Sequence, residues 1–134
     1  TDGAASNNRL DLIQEMRHAA LLAKVGSMDA SALPAHAALR MATLDGARAL
    51  GMGDRIGSIE LGKLADLCAV DLGGLDCLPC FDPVSHLVYV SGREHVSHVW
   101  VNGETRVDKG IRLLHINDSE LLRLASMWQT RAGN

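Results

Sequence analysis

The hydrophobic period of this chain changes near Gly51, so its two halves must be built from different elements. In residues 10–25, Leu12, Met16, Ala19 and Ala23 recur at helical spacing with Ile13 and Ala20 beside them, which predicts one amphipathic helix. Ser6, Asn7 and Asn8 can cap its start, because their side chains accept from first-turn N–H groups that have no helical partner, and Gly26 can end it with a positive φ. A second helical stretch follows in "DASALPAHAALRMATLDGARALGMG". Pro34 is tolerated there in a first turn, Ala37, Met41, Leu44 and Ala47 form a buried stripe, and a break is expected near Gly46.

Beyond Gly51 the pattern is that of strands. "IGSIELGKLADLCAVDL" predicts a short strand, a Gly62-Lys63 turn and an apolar strand over 65–70. "HVSHVWVNGETRV" predicts a hairpin: Val96, His98 and Trp100 alternate with Val99 and Val101, and Asn102-Gly103 supplies the two positive φ values of a type I′ turn. The sheet is expected to be antiparallel. Asn117, Asp118 or Ser119 then caps a last helix whose Leu121, Leu124, Ala125 and Trp128 share a face. Helix, helix, strands, helix reads as the end of one domain followed by most of another. A chain starting at Thr1 with a finished helix-entry loop reads as cut from something longer.

Composition removes several function classes. With 134 residues, 47% apolar and 22% charged, the chain is globular in type, and a formal charge of −3 leaves no basic stripe for nucleic acid. Two Trp, one Tyr and one Phe offer little for base stacking. Apolar runs such as "AALLA" fall far short of the ~20 residues of a membrane span, and no basic-then-apolar leader is present, so a cytoplasmic protein is expected. Cys68, Cys77 and Cys80 are an odd count, which argues against a disulfide framework. Cys77 and Cys80 have the C-x-x-C spacing of zinc or redox sites, but without a second pair the expectation is buried, inert thiols.

Asp2, in "TDGAASNN", is open to three readings: a helix cap, a surface turn, or an active-site carboxylate at the end of a strand. His18 falls on a polar helix face beside Gln14, and His36 near a helix start. His86, between a Pro-containing turn and a predicted strand, either faces a pocket or bonds to backbone. His95 and His98 are expected on opposite faces, which counts against a shared metal, and His115 reads as a pre-helix residue. Arg93 and Glu94 read as exposed turn charges forming at most a weak pair.

Three segments together carry a family resemblance over nearly the whole chain. "TDGAASNN" with "LDLIQEMRHAALLAK" resembles the passage after the last barrel strand of metal-dependent amidohydrolases, in the branch of triazine hydrolases and S-adenosylhomocysteine/5′-methylthioadenosine deaminases. "ATLDGARALGMGDRIGSIELGKLADLCAVD" resembles the passage from the barrel into the family's small β-sandwich, and "DPVSHLVYVSGREHVSHVWVNGETRV" the closing strands of that sandwich. The resemblance implies an α/β fold: residues 1–50 as the end of a (β/α)₈ barrel, 51–116 as the sandwich and 117–134 as a C-terminal helix.

The same resemblance implies a divalent metal, usually zinc, held by an H-x-H pair, further histidines and an aspartate from the eighth strand. Asp2 matches that aspartate, which makes it metal ligand, proton acceptor and the catalytic group against the substrate. Zn²⁺ lowers the pKa of its water to roughly 7, and the family's hydroxide adds to purine C6 while ammonia leaves with help from a glutamate placed upstream. Ser6, Asn7 and Asn8 read as loop residues that orient Asp2; His86, from its own turn context and not from the resemblance, is a weaker pocket candidate. The H-x-H and the acid glutamate are absent from these residues, so the fragment alone is expected to be inactive and to bind zinc weakly until joined to an N-terminal barrel portion.

The leading expectation is a zinc aminohydrolase acting on S-adenosylhomocysteine or 5′-methylthioadenosine, assembled as a homo-oligomer. The alternatives are a triazine hydrolase or other purine or pyrimidine deaminase of the same superfamily, and a non-catalytic β-rich assembly module.

Overall fold

A computed structural model describes residues 1–113 and 116–132. Helix α1 (Leu12–Ser27) starts at Asp11, whose carboxylate is buried and accepts from Gln14 N–H at 3.2 Å. This corrects the expected cap: Ser6, Asn7 and Asn8 stand too far upstream, and the acceptor next to the first helical residue takes the role. The helix also runs past Gly26. Met28, at φ 54°, is the left-handed residue, and the pair Asp29 N–H to Lys24 O and Met28 N–H to Val25 O closes the end as a Schellman motif. Lys24 Nζ reaches on to the carbonyls of Ala32 and Leu33 and holds the turn against α1.

The second helical stretch is α2 (Ala35–Arg40), a π turn (Met41–Asp45) and α3 (Gly46–Ala49), with Pro34 just before it. The irregularity therefore lies one turn before Gly46, and the chain stays helical through the glycine. A Cβ on Gly46 would stand 3.1 Å from Met41 O, so a glycine lets the widened turn close. The extra residue in the turn rotates the faces by about 100° relative to one another. Ala35, Ala38 and Ala47 are buried as a result, whereas Met41 of the expected stripe is 51% exposed and Ala37 and Leu44 are half-buried.

Residues 56–61 form bends and irregular backbone leading into a turn, contrary to the expected strand. Gly57 (φ 89°) packs its backbone over Leu44 and Ala47, and Lys63 Nζ ties to Gly53 O at 2.7 Å and Ser58 Oγ at 2.5 Å, so the segment folds back on α3. β1 (Leu67–Val70), β2 (Val96–Val101), β3 (Glu104–Asp108) and β4 (Ile111–Arg112) form one antiparallel sheet in that order. Leu67 faces Trp100, and Trp100 faces Thr105. Asn102 (φ 51°) and Gly103 (φ 79°) make the expected hairpin turn, and Asn102 N–H donates to Asp66 Oδ1 at 2.6 Å. A second such turn at Lys109-Gly110 adds β4 beyond the expected strands.

"DPVSHLVY" is the main correction. It forms helix α4 (Pro83–Tyr89), with Asp82 accepting from Val84 N–H at 3.1 Å and Pro83 in the first turn, so His86 precedes no strand. α4 puts Val88, 0% exposed, into the main apolar cluster with Ala20, Ala35 and Ala38, and Leu33, Val84 and Tyr89 pack around them. Arg17 of α1 clamps this packing by donating from Nε to Val88 O (3.2 Å) and from Nη2 to Ser91 O. The last helix, α5 (Asp118–Ala132), is capped by Asn117, which accepts from Glu120 N–H at 2.9 Å. Leu121 and Leu124 are half-buried, but Ala125 and Trp128 of the expected face are exposed. Among the described residues no helix is long and apolar enough to cross a membrane.

Candidate functional site

Asp2 stands in a tight polar turn ahead of α1. It has φ 58°, is exposed, and accepts from Gly3 N–H at 2.7 Å through Oδ1 and from Ser6 Oγ at 3.3 Å through Oδ2. Gly3 O in turn accepts from Ser6 N–H (3.0 Å) and Asn7 N–H (2.9 Å). One donor per carboxylate oxygen leaves lone pairs on both, so Asp2 can still serve as a metal ligand or take a proton. Asn7 accepts from Arg9 N–H (3.1 Å) and Leu10 N–H (3.2 Å) and donates from Nδ2 to Glu15 Oε1 at 2.7 Å. Asn8 is exposed and makes no hydrogen bond among the described residues.

Asp2 belongs to no trio of ligand-type side chains among the described residues. Such a trio does occur elsewhere, where Asp76, Cys77 and His95 converge. Its hydrogen bonds decide what it does. Gly92 N–H donates to His95 Nδ1 at 3.0 Å, which makes Nδ1 the acceptor and puts the ring proton on Nε2, facing Asp76 Oδ2 at 2.8 Å. Neither ring nitrogen keeps a free lone pair for a metal, so this is a hydrogen-bonded tie between the 3₁₀ turns Leu75–Cys77 and Arg93–His95. The hydrogen-bonded Asp76 carboxylate outweighs the opposing effect of burial and raises the imidazole above its ordinary range, while His95 lowers Asp76. Cys77 is 1% exposed and burial pushes its thiol up, as expected for an inert cysteine, whereas Cys80 is half-buried and Cys68 exposed, contrary to the expectation of buried thiols.

The remaining candidates have local partners. His86 Nδ1 lies 3.2 Å from Asp82 O at the start of its own helix, outside the hydrogen-bond set of Asp2. His98 Nε2 lies 3.2 Å from Asp108 Oδ1, and its ring stacks on Trp100 with centroids 5.4 Å apart. His18 sits 3.4 Å from Gln14 Nε2, and His36 is exposed on α2. His115 lies outside the described residues. Arg93 pairs with no carboxylate among the described residues; Glu94 instead approaches His95 Nδ1 to 3.8 Å, because the turn points it back over Gly92. The Asn7–Glu15 bond was not legible beforehand, and the only signal for it was a polar cluster facing an acidic first helical turn.

Comparison with known proteins places this geometry. A 5-methylthioadenosine/S-adenosylhomocysteine deaminase of Teredinibacter turnerae is 46% identical over 133 residues, covering 99% of this chain and 30% of its own length. A 5′-deoxyadenosine deaminase of Methanosarcina barkeri is 47% identical over 81% of this chain and 24% of its own. The crystal structure of an adenosine deaminase from Xanthomonas campestris with bound zinc superposes with TM-score 0.92 at 48% identity, over 96% of this chain and 29% of that one. An atrazine chlorohydrolase of Arthrobacter aurescens TC1, solved with zinc, gives 0.80 at 31% identity, over 93% and 27%. The chain thus spans less than a third of the length of the relatives it matches. The family model described as "Amidohydrolase family" matches residues 1–106, and the chain belongs to that family.

Proposed function

We propose that this chain works as the C-terminal part of a metal-dependent aminohydrolase that deaminates 5′-methylthioadenosine or S-adenosylhomocysteine. The observation that carries it is the 46% identity, over 99% of the chain, to a protein named for that reaction. The 31% identity to the chlorohydrolase supports the triazine reading less. In this proposal residues 1–50 close a (β/α)₈ barrel, 51–116 belong to a small sandwich, and 117–134 are a terminal helix.

The donor chemistry at Asp2 fits a divalent metal, zinc in the structural relatives, as one ligand of several. The other ligands come from the rest of the full-length protein, so the 134 residues alone are inactive and hold zinc weakly. The metal supplies Lewis acidity and makes water a nucleophile at neutral pH. Asp2 holds one side of the site and accepts the proton that the attacking water loses at purine C6. The amino group takes up that proton from Asp2 and leaves as ammonia, and the ring keeps the oxygen, with the water's second proton on the ring nitrogen of the resulting lactam. Exposed Leu22, Val25, Met28 and Leu50 on the helical half are covered by the rest of the barrel or by a second subunit of a cytoplasmic homo-oligomer.

The test is the full-length protein and its Asp2→Ala variant, assayed for zinc content and for turnover of 5′-methylthioadenosine, S-adenosylhomocysteine and a chlorotriazine. Thioether nucleosides should be deaminated by the wild type only. Triazine turnover without nucleoside turnover would refute the substrate, and an Asp2→Ala enzyme with full zinc and full activity would refute the ligand.

A further inference from the structure

We propose that Asn7 is the positioning residue that fixes Asp2 toward the metal, by anchoring the loop that carries Asp2 to Glu15 of α1; this rests on the reading of Asp2 as a ligand. The contacts of the Asp2 carboxylate are local, to Gly3 and Ser6, so they fix its place only within the 2–7 turn. Something else must fix that turn against the fold. Asn7 joins it at four points: its N–H closes on Gly3 O, its Oδ1 takes Arg9 and Leu10 N–H, and its Nδ2 donates to Glu15 Oε1 at 2.7 Å. Among the described residues this is the one side-chain hydrogen bond from residues 1–8 to α1. The helix it reaches is itself held, by buried Met16 and Ala20 and by Arg17 on Val88 and Ser91.

The donor polarity of the pair gives a specific test. Asn7 must accept with one side-chain atom and donate with the other. Asn7→Asp keeps the acceptor for the two N–H groups but sets a carboxylate against Glu15. Adding Glu15→Gln restores a donor facing an acceptor, with the direction reversed. Zinc affinity is measured by chelator competition on the full-length protein. Groups that orient a metal ligand are worth about 10–100-fold in affinity. Asn7→Asp should therefore weaken zinc binding at least about 10-fold, and the double variant should return it to within about 3-fold of wild type. Should Asn7→Asp fail to fold, Glu15→Ala, which cuts the same bond without adding charge, carries the same expectation.

Unchanged zinc affinity in Asn7→Asp or Glu15→Ala, or a double variant no better than Asn7→Asp, overturns the proposal. Asp2→Ala separates the two readings. If it leaves zinc affinity unchanged, the ligand reading fails. If it abolishes binding while the Asn7 and Glu15 variants bind as wild type, the positioning role alone fails.

Discussion

Replacing Arg17 by Met tests whether the helical core is held by apolar packing alone or also by one charged clamp. Arg17 crosses from α1 to the end of α4 and serves two carbonyls, those of Val88 and Ser91, on residues that are each 0% exposed. The backbone donors nearby are used otherwise: Val90 and Ser91 N–H both go to His86 O, and His95 N–H goes to Gly92 O. Met keeps the apolar stem of the side chain and removes only the donors. A hydrogen bond from a charged donor contributes about 1.5–3 kcal/mol net, and the positive charge also favours the C-terminal end of a helix by about 0.3–1 kcal/mol. Arg17 is half-buried, so water recovers part of this, and a loss of about 2 kcal/mol is expected. In native-state hydrogen exchange on the full-length protein, that is about 30-fold faster exchange at the amides of Val90 and Ser91, which close the end of α4 on His86 O. Arg17→Lys, with one ammonium for two acceptors, should fall between. Exchange within about 3-fold of wild type in Arg17→Met would mean that the alanine–valine packing carries α4 unaided.

Gly57→Ala should destabilise by about 2–4 kcal/mol, from the positive φ and from a Cβ set 2.9 Å from Leu44 Cα and 3.0 Å from Thr43 O. Gly62→Ala, at φ 90° in open space, should cost only about 1 kcal/mol, and equal losses in thermal unfolding would refute the steric part. The Asp76–His95 tie should show a pH window. The raised His95 contributes stability that is complete below about pH 6.5 and is lost as pH rises through its folded value. The lowered Asp76 contributes above about pH 4 and is lost as pH falls through its own. By NMR titration Asp76→Asn should move the His95 midpoint down, and an unmoved midpoint would remove Asp76 as the cause.

Features whose cause is local were legible in the sequence. Asn102-Gly103 announces its hairpin because few other residues accept two successive positive φ values, and Leu12 to Ala23 announce α1 by period. What failed was decided at longer range. The short segment 84–89, with β-branched Val84 and Val88 and aromatic Tyr89, reads as a strand by composition, yet the Asp82 cap, Pro83 in the first turn and the burial of Val88 among three alanines make it a helix. The 56–61 segment failed as a strand because Gly57 lets the backbone lie flat on α3. The proposal for Asp2 rests on the family resemblance alone, since a polar turn before a helix looks the same with or without a metal.

The polar ties also explain why the convergence of Asp76, Cys77 and His95 is part of the scaffold and not a second centre. Ser91, buried beside the core, accepts from Arg17 through its carbonyl, takes the His86 carbonyl with its N–H and donates from Oγ to Leu87 O. The next residue, Gly92, donates to His95, and His95 donates to Asp76. These bonds run without interruption from α1, through the end of α4, to the turn that enters β2 and the loop that follows β1. A zinc ion at His95 would have to displace either Gly92 or Asp76 and so cut the path that joins the helices to the sheet. Asp2 differs in just this respect. Its bonds end within its own turn and leave lone pairs unused, which suits the ligand role proposed for it, whereas every nitrogen of His95 is already engaged in holding two halves of a fold together.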